Sequence, residues 1–149
     1  MSITPYNQRT ALLLGEDAIN TLAEKHVMVV GVGGVGSYAV EMLARSGVGT
    51  LTIIDADVVA PSNINRQLPA LMSTIEMSKV DVMKQRIKDI NPECKVNAIN
   101  RFITVNDVSE TLETFAPDFV IDAIDSIAPK VELIKQCLQR KIKIISSMG

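Results

Sequence analysis

Four glycines in six positions, Gly31-Val32-Gly33-Gly34-Val35-Gly36, are the part of this sequence best suited to hold an anion. Glycine at Gly31 and Gly33 lets backbone N–H groups come within contact of a bound phosphate, because a Cβ there collides with it. Gly36 lets the helix that follows pack closely on the preceding strand. The helix N-terminus adds about half a positive charge directed at the anion. Asp55, about 20 residues further on, is placed to accept hydrogen bonds from ribose hydroxyls. Asn63, Asn65, Arg66 and Gln67 fall within five residues and supply donors for phosphate oxygens. Lys79 stands in the first turn of an expected helix, where a cation opposes the helix dipole and so points to an anion partner. Asp125 has two readings: a holder of Mg²⁺ on a polyphosphate, or the N-cap of the next helix. Together these residues describe a mononucleotide or dinucleotide site. A tight turn that binds nothing explains the glycines poorly.

The elements that must position them can be read from periodicity. Val27 to Val32 is an apolar, β-branched run of the kind covered on both faces in a parallel sheet. A helix from Ser37 to Arg45 and a strand from Leu51 to Ile54 follow, and then a loop from Val58 to Pro69 with room for one helical turn. Ser78 to Ile90 reads as a helix with Val80, Met83, Ile87 and Ile90 on its apolar face, Lys84, Arg86 and Lys88 on its wet face, and a stop at Asn91-Pro92. Lys95 to Ile103 is a third strand, Asp107 to Phe115 a helix capped by Asn106, and Asp118 to Ile121 a fourth strand. Ala128 to Arg140 is a helix with Val131, Ile134 and Leu138 aligned, and Lys143 to Ser146 a fifth strand, with a further loop expected at Gly149. Ahead of the sheet, Ser2 to Glu24 carries two short helices broken at Gly15, with Leu12, Leu13, Ile19 and Leu22 on one side. Arg9 in this leading segment reads from spacing as a solvated charge, and His26 as a backbone-satisfied residue at a strand start.

Strands alternating with helices define an α/β fold: a Rossmann-like doubly wound parallel sheet with N-terminal helices preceding the first strand. In the strand order 3-2-1-4-5 the switch point lies between the first and fourth strands. That order sets Gly33 opposite Asp122 to Asp125 across one crevice.

A chain of 149 residues, 47% hydrophobic and 21% charged, is that of one soluble domain. Aromatic residues make up 3% with no Trp, which argues against an aromatic platform for nucleic acid. A net charge of −2 means that a nucleic-acid partner needs a local basic patch. Cys94 and Cys137 form no CxxC pair, so neither zinc nor a disulfide framework is indicated and a reducing compartment is expected. No signal peptide and no apolar run of about 20 residues is visible, so no membrane association is expected and the location is read as cytoplasmic.

In that order, GVGGVGSYAVEMLARSGVG, LTIIDADVV, SNINRQ, Lys79, INPEC and VIDAIDS resemble the ThiF/MoeB/HesA adenylyltransferases, relatives of ubiquitin-activating enzymes. The resemblance runs from Arg9 to Gly149. Its details NINRQ, INPEC, AIDS and the terminal SSMG are most similar to the branch that uses ATP to cyclise a threonylcarbamoyl side chain on a tRNA adenosine. The resemblance implies that Gly31, Gly33, Gly34 and Gly36 border ATP, that Asp55 binds its ribose, that Asp57 belongs to the cofactor-binding set, and that Asn63, Arg66, Gln67 and Lys79 hold phosphates. It implies Mg²⁺ at Asp125. It also turns Arg9 from a solvated charge into the arginine that reaches the partner's site in a homodimer. The catalytic set is then Arg66, Lys79, Asp125 and Arg9, with tRNA as acceptor and a sulfur-carrier or cysteine desulfurase system as a further partner. Members of the family continue well past SSMG. Residues 1–149 therefore read as the ATP-binding half, with nucleotide binding retained and tRNA turnover weak or absent. No thioester cysteine is visible, since Cys137 lies at a core-like helix position. Three rivals stand beside this reading: an NAD-dependent oxidoreductase, disfavoured by the Arg66 and Lys79 cations; adenylylation of a ubiquitin-like sulfur carrier; and a non-catalytic nucleotide-binding module.

Overall fold

Every position of His26–Val30 after the first is valine or methionine, so both faces of this strand need cover, and it lies at the centre of the sheet as β1. The structure, a computed structural model, describes residues 4–148. Residues 1–3, where the leading helical segment was expected to begin, and Gly149, with its expected loop, lie outside the described residues. The chain runs α1 (Gln8–Leu14), α2 (Glu16–Glu24), β1, α3 (Gly36–Ser46), β2 (Thr50–Ile54), α4 (Lys79–Ile90), β3 (Lys95–Ile99), α5 (Val108–Phe115), β4 (Phe119–Asp122), α6 (Ile127–Gln139) and β5 (Lys143–Ser146). Short 3-10 turns at Pro61–Asn63 and Met72–Thr74 interrupt the long β2–α4 connection. The sheet order is β3-β2-β1-β4-β5 with every pair parallel, as the alternation of strands and helices requires.

Alternating side chains divide the core into two layers. Val27, Val29, Leu51 and Ile53 pack under α3 and α4 against Val40, Ala44, Val80, Met83 and Ile87. Met28, Val30, Ile54 and Val120 pack under α5 and α6 against Val108, Leu112, Leu133 and Cys137. Each large apolar side chain buried this way contributes about 1.5–3 kcal/mol. Register does the rest. Val30 is level with Ile54 on β2 and with Asp122 on β4. Gly31, Asp55 and Ala123 therefore leave the same edge of the sheet side by side.

Several sequence expectations need correction. The face of α6 is rotated: Val131 and Leu138 are exposed, and the inward positions are Lys130, Leu133 and Cys137. On that inward side Leu133 and Cys137 pack into the core and Lys130 pairs with Asp122. Leu12 and Leu13 on α1 are exposed as well, while Ile19 on α2 is buried. β3 stops at Ile99, because Arg101 N–H turns back to the Ile99 carbonyl and its guanidinium reaches Thr111 Oγ1 at 2.7 Å. Asp107 rather than Asn106 occupies the cap position of α5, its carboxylate accepting from Thr104 N–H and Oγ. Arg86 is not simply solvated: its Nε donates to the buried Glu41 of α3 at 2.5 Å, joining α3 to α4.

Candidate nucleotide site

The glycine turn is tight for reasons that lie within the protein. Gly31 has φ +92°, and a Cβ there would come within 2.4 Å of the Ala123 carbonyl oxygen. A Cβ on Gly36 would lie 1.7 Å from the Gly31 carbonyl oxygen. Gly36 therefore does what the sequence implies, bringing α3 close to the end of β1. Gly31 has a reason within the protein: the atom that its Cβ would meet belongs to the β4 turn. Gly33 and Gly34 have ordinary room on the protein side, their nearest neighbours being Gln67 Nε2 at 3.5 Å and Arg66 Cγ at 3.6 Å from a built Cβ. Their constraint is the open space they border.

That space is a crevice of about 640 Å³ at the carboxyl edge of the sheet, within the usual range for a small-molecule site. The glycine turn and Asp125 both line it, from the ends of the neighbouring strands β1 and β4, and Asp55, Asp57, Arg66, Gln67 and Lys79 line it too. The sequence reading brought these residues to one place, and the structure does the same. Gly36, Asn63 and Arg9 are not among the lining residues. Asn63 Oδ1 accepts the Ala60 N–H at 2.9 Å and so shapes its own turn. Arg9 is exposed on α1.

Asp55 has work inside the protein. Its Oδ2 accepts the Val32 N–H at 2.7 Å and its Oδ1 the Asp57 N–H at 2.8 Å, which ties the glycine turn to the end of β2. Each carboxylate oxygen keeps a second lone pair for a ribose hydroxyl. Lys79 is 4% exposed and donates to Asp57 Oδ2 at 2.9 Å, so a cation is stored on the crevice wall beside an acid. Arg66 is anchored lightly, donating to the Ser62 carbonyl at 3.0 Å and to Asn65 Oδ1 at 2.9 Å. The side-chain oxygen of Gln67 is buried without a hydrogen-bond partner, an acceptor still open next to the glycines. Asp125 is exposed, and the cap position of α6 belongs to Ser126, so the capping role considered for Asp125 is not taken up. Among the described residues no three His, Cys, Asp or Glu side chains converge to hold a metal by themselves. A single carboxylate completed by phosphate oxygens is the arrangement Mg²⁺ accepts, and Asp125 fits it.

Other residues at the site carry weaker sequence signals. Ser37 is wholly buried; its hydroxyl donates to the Gly33 carbonyl at 2.5 Å and accepts the Leu68 N–H at 3.3 Å, which pins the β2–α4 loop to the glycine turn. Arg101, Phe102 and Ile103 line the crevice from the far side. Phe102 is 72% exposed, and an aromatic inside a polar stretch was the one available hint. Burial pushes the thiols of Cys94 and Cys137 up to about 11, so neither is a ready nucleophile. Among the described residues no helix is long and apolar enough to cross a membrane.

Comparison with known proteins identifies close relatives of the fold. The tRNA threonylcarbamoyladenosine dehydratase of Bacillus subtilis (strain 168) is 52% identical over 144 residues, covering 95% of this chain and 55% of that protein. The crystal structure of the E. coli tRNA N6-threonylcarbamoyladenosine dehydratase, TcdA, in complex with ATP matches with a TM-score of 0.92 at 43% identity, over 98% of this chain and 61% of that one. The same E. coli protein in complex with AMP gives the same TM-score, identity and coverage. The chain spans about half the length of the curated relatives it matches. The ThiF family pattern covers residues 6–149, and on that match the chain belongs to the ThiF family.

Proposed function

We propose that the crevice binds ATP and that the protein activates a carboxylate by adenylylation. The observation that carries this reading is the convergence of Gly33, Gly34, Arg66, Lys79 and Asp125 on one cavity. A dinucleotide gives Arg66 and Lys79 no terminal phosphates to neutralise, which disfavours an NAD-dependent oxidoreductase. The relative solved with ATP supports the same choice.

In the reaction a carboxylate oxygen of the acceptor attacks the α-phosphorus, the bond from that phosphorus to the bridging oxygen breaks, and pyrophosphate leaves. Charge grows on the β- and γ-phosphate oxygens, and Arg66 and Lys79 are placed to neutralise it. Asp125 would hold Mg²⁺, which would supply further positive charge against the leaving group. Gly33 and Gly34 keep space for the phosphates, and Asp55 orients the ribose. No side-chain nucleophile is needed for this half-reaction, in keeping with the two buried thiols.

For the whole protein the acceptor is N6-threonylcarbamoyladenosine in tRNA, in line with the names of its relatives. A nitrogen of the same modified base then captures the activated carbonyl and releases AMP. We assign the protein to the cytoplasm, in keeping with its two free thiols. We also assign it a homodimer in which Arg9 enters the partner's crevice. The exposed Leu12 and Leu13 beside Arg9 on α1 support a covered face there.

Calorimetric titration with ATP–Mg²⁺ and with NAD tests the ligand, and tighter NAD binding rejects the reading. Pyrophosphate exchange by the whole protein, offered modified tRNA and a ubiquitin-like sulfur carrier in turn, tests the acceptor. Exchange driven only by the carrier replaces tRNA with a protein substrate, and failure with every acceptor despite ATP binding leaves a nucleotide-binding module.

A further inference from the structure

Lys130 lies in the first turn of α6, next to Pro129, which lines the crevice. It is only 9% exposed, an unfavourable place for a cation that loses hydration and faces the positive end of a helix dipole. Its ammonium donates to Asp122 Oδ2 at 2.6 Å and to the Ser147 carbonyl at 2.6 Å. Asp122 ends β4 and is wholly buried. The same Oδ2 accepts the Ser146 hydroxyl at 2.6 Å, and Oδ1 accepts the Ile124 N–H at 3.0 Å. One buried ion pair thus joins the end of β4, the start of α6 and the exit of β5. Those three segments supply Ala123, Ile124, Asp125, Pro129 and Met148 to the crevice wall.

We propose that Lys130 is a positioning residue: by holding Asp122, it fixes the turn that presents Asp125 to the polyphosphate end of the nucleotide. Lys130 itself does not line the crevice and acts through Asp122, whose Oδ1 sets the backbone at Ile124. Without the ammonium, the Asp122 carboxylate is buried and unpaired, and the turn resets to relieve it. This inference rests on reading the crevice as an ATP–Mg²⁺ site.

Calorimetric titration of the wild type, Lys130→Met and Lys130→Arg with ATP–Mg²⁺ and with AMP tests it, with thermal melts to establish that each variant is folded. AMP has no polyphosphate for Asp125 to serve. Lys130→Met is expected to raise the Kd for ATP–Mg²⁺ about 10-fold and that for AMP less than about 2-fold, with most of the loss recovered in Lys130→Arg. Unchanged affinities in a folded Lys130→Met, or equal weakening for both ligands, overturn the proposal. Should Lys130→Met fail to fold, Ser146→Ala removes a milder contact to the same carboxylate oxygen. It is expected to weaken ATP–Mg²⁺ about 3-fold and leave AMP unchanged, and no selective effect there overturns the proposal. A wild type that binds neither ligand overturns the ATP reading, and the inference with it.

Discussion

Lys79 Nζ and Asp57 Oδ2 sit 2.9 Å apart on the crevice wall, and the Lys79 N–H also reaches the Asp57 carbonyl at 3.0 Å. The lysine side chain is 5% exposed and the aspartate 53%. The cation is thus stored inside the protein, while its counter-ion faces water and can be released at little cost. A phosphate arriving in the crevice can take over the ammonium as Asp57 relaxes into solvent.

Lys79→Met is therefore expected to separate function from stability. The Kd for ATP–Mg²⁺ should rise at least about 10-fold, the loss of one charge-assisted contact. Stability should stay within about 1 kcal/mol of wild type, because a buried cation at a helix N-terminus is removed and the acid left behind is already half in water. Calorimetry and urea melts of one preparation check both. A large loss of stability with intact binding makes Lys79 a structural residue.

Gly36→Ala and Gly33→Ala should fail in different ways. A Cβ on Gly36 meets the Gly31 carbonyl oxygen at 1.7 Å, so the turn itself must move. Thermal melts are expected to show a loss of about 2 kcal/mol or more. A Cβ on Gly33 meets nothing closer than 3.5 Å. That variant should melt within about 1 kcal/mol of wild type yet bind ATP poorly, because the methyl enters space kept for phosphate.

The glycine turn, the strand order and the acid after β2 were legible because each depends on local pattern: an apolar run, close-set glycines, a carboxylate at the right distance. The face of α6 was not. Its sequence carries an apolar stripe through Val131, Ile134 and Leu138 and another through Leu133 and Cys137. The buried stripe is completed by Lys130 pairing with Asp122, a contact no periodicity encodes. The partner of Arg86 on α3 and the inward role of Asp55 were hidden for the same reason. Asn63 reads as a phosphate donor, and its side-chain oxygen holds its own turn.

His26 gives a pH signature. Its ring is hydrogen-bonded to the buried Thr52 at 2.8 Å, and burial lowers its pKa below the ordinary 6.5, with Lys95 adding to the fall and Asp118 opposing it. Above pH 6.5 the ring is neutral in folded and unfolded chains, and its contribution to stability is fully present. Below that pH the unfolded chain binds the proton first, so stability falls until the folded ring also titrates. Urea melts at about pH 7.5 and about pH 5.5, roughly one unit either side of the ordinary histidine value, should show this loss in the wild type and a smaller one in His26→Gln. Equal losses in the two proteins assign the acid sensitivity to other groups.

Mapping ATP–Mg²⁺ onto the backbone amides of the isotope-labelled protein by NMR tests the central claim most directly. The expected result is a single cluster of shifted signals at Gly33, Gly34, Asp55, Arg66, Lys79 and Asp125, drawn from separate stretches of chain but one crevice. Shifts confined to another surface, or none at millimolar nucleotide, contradict it.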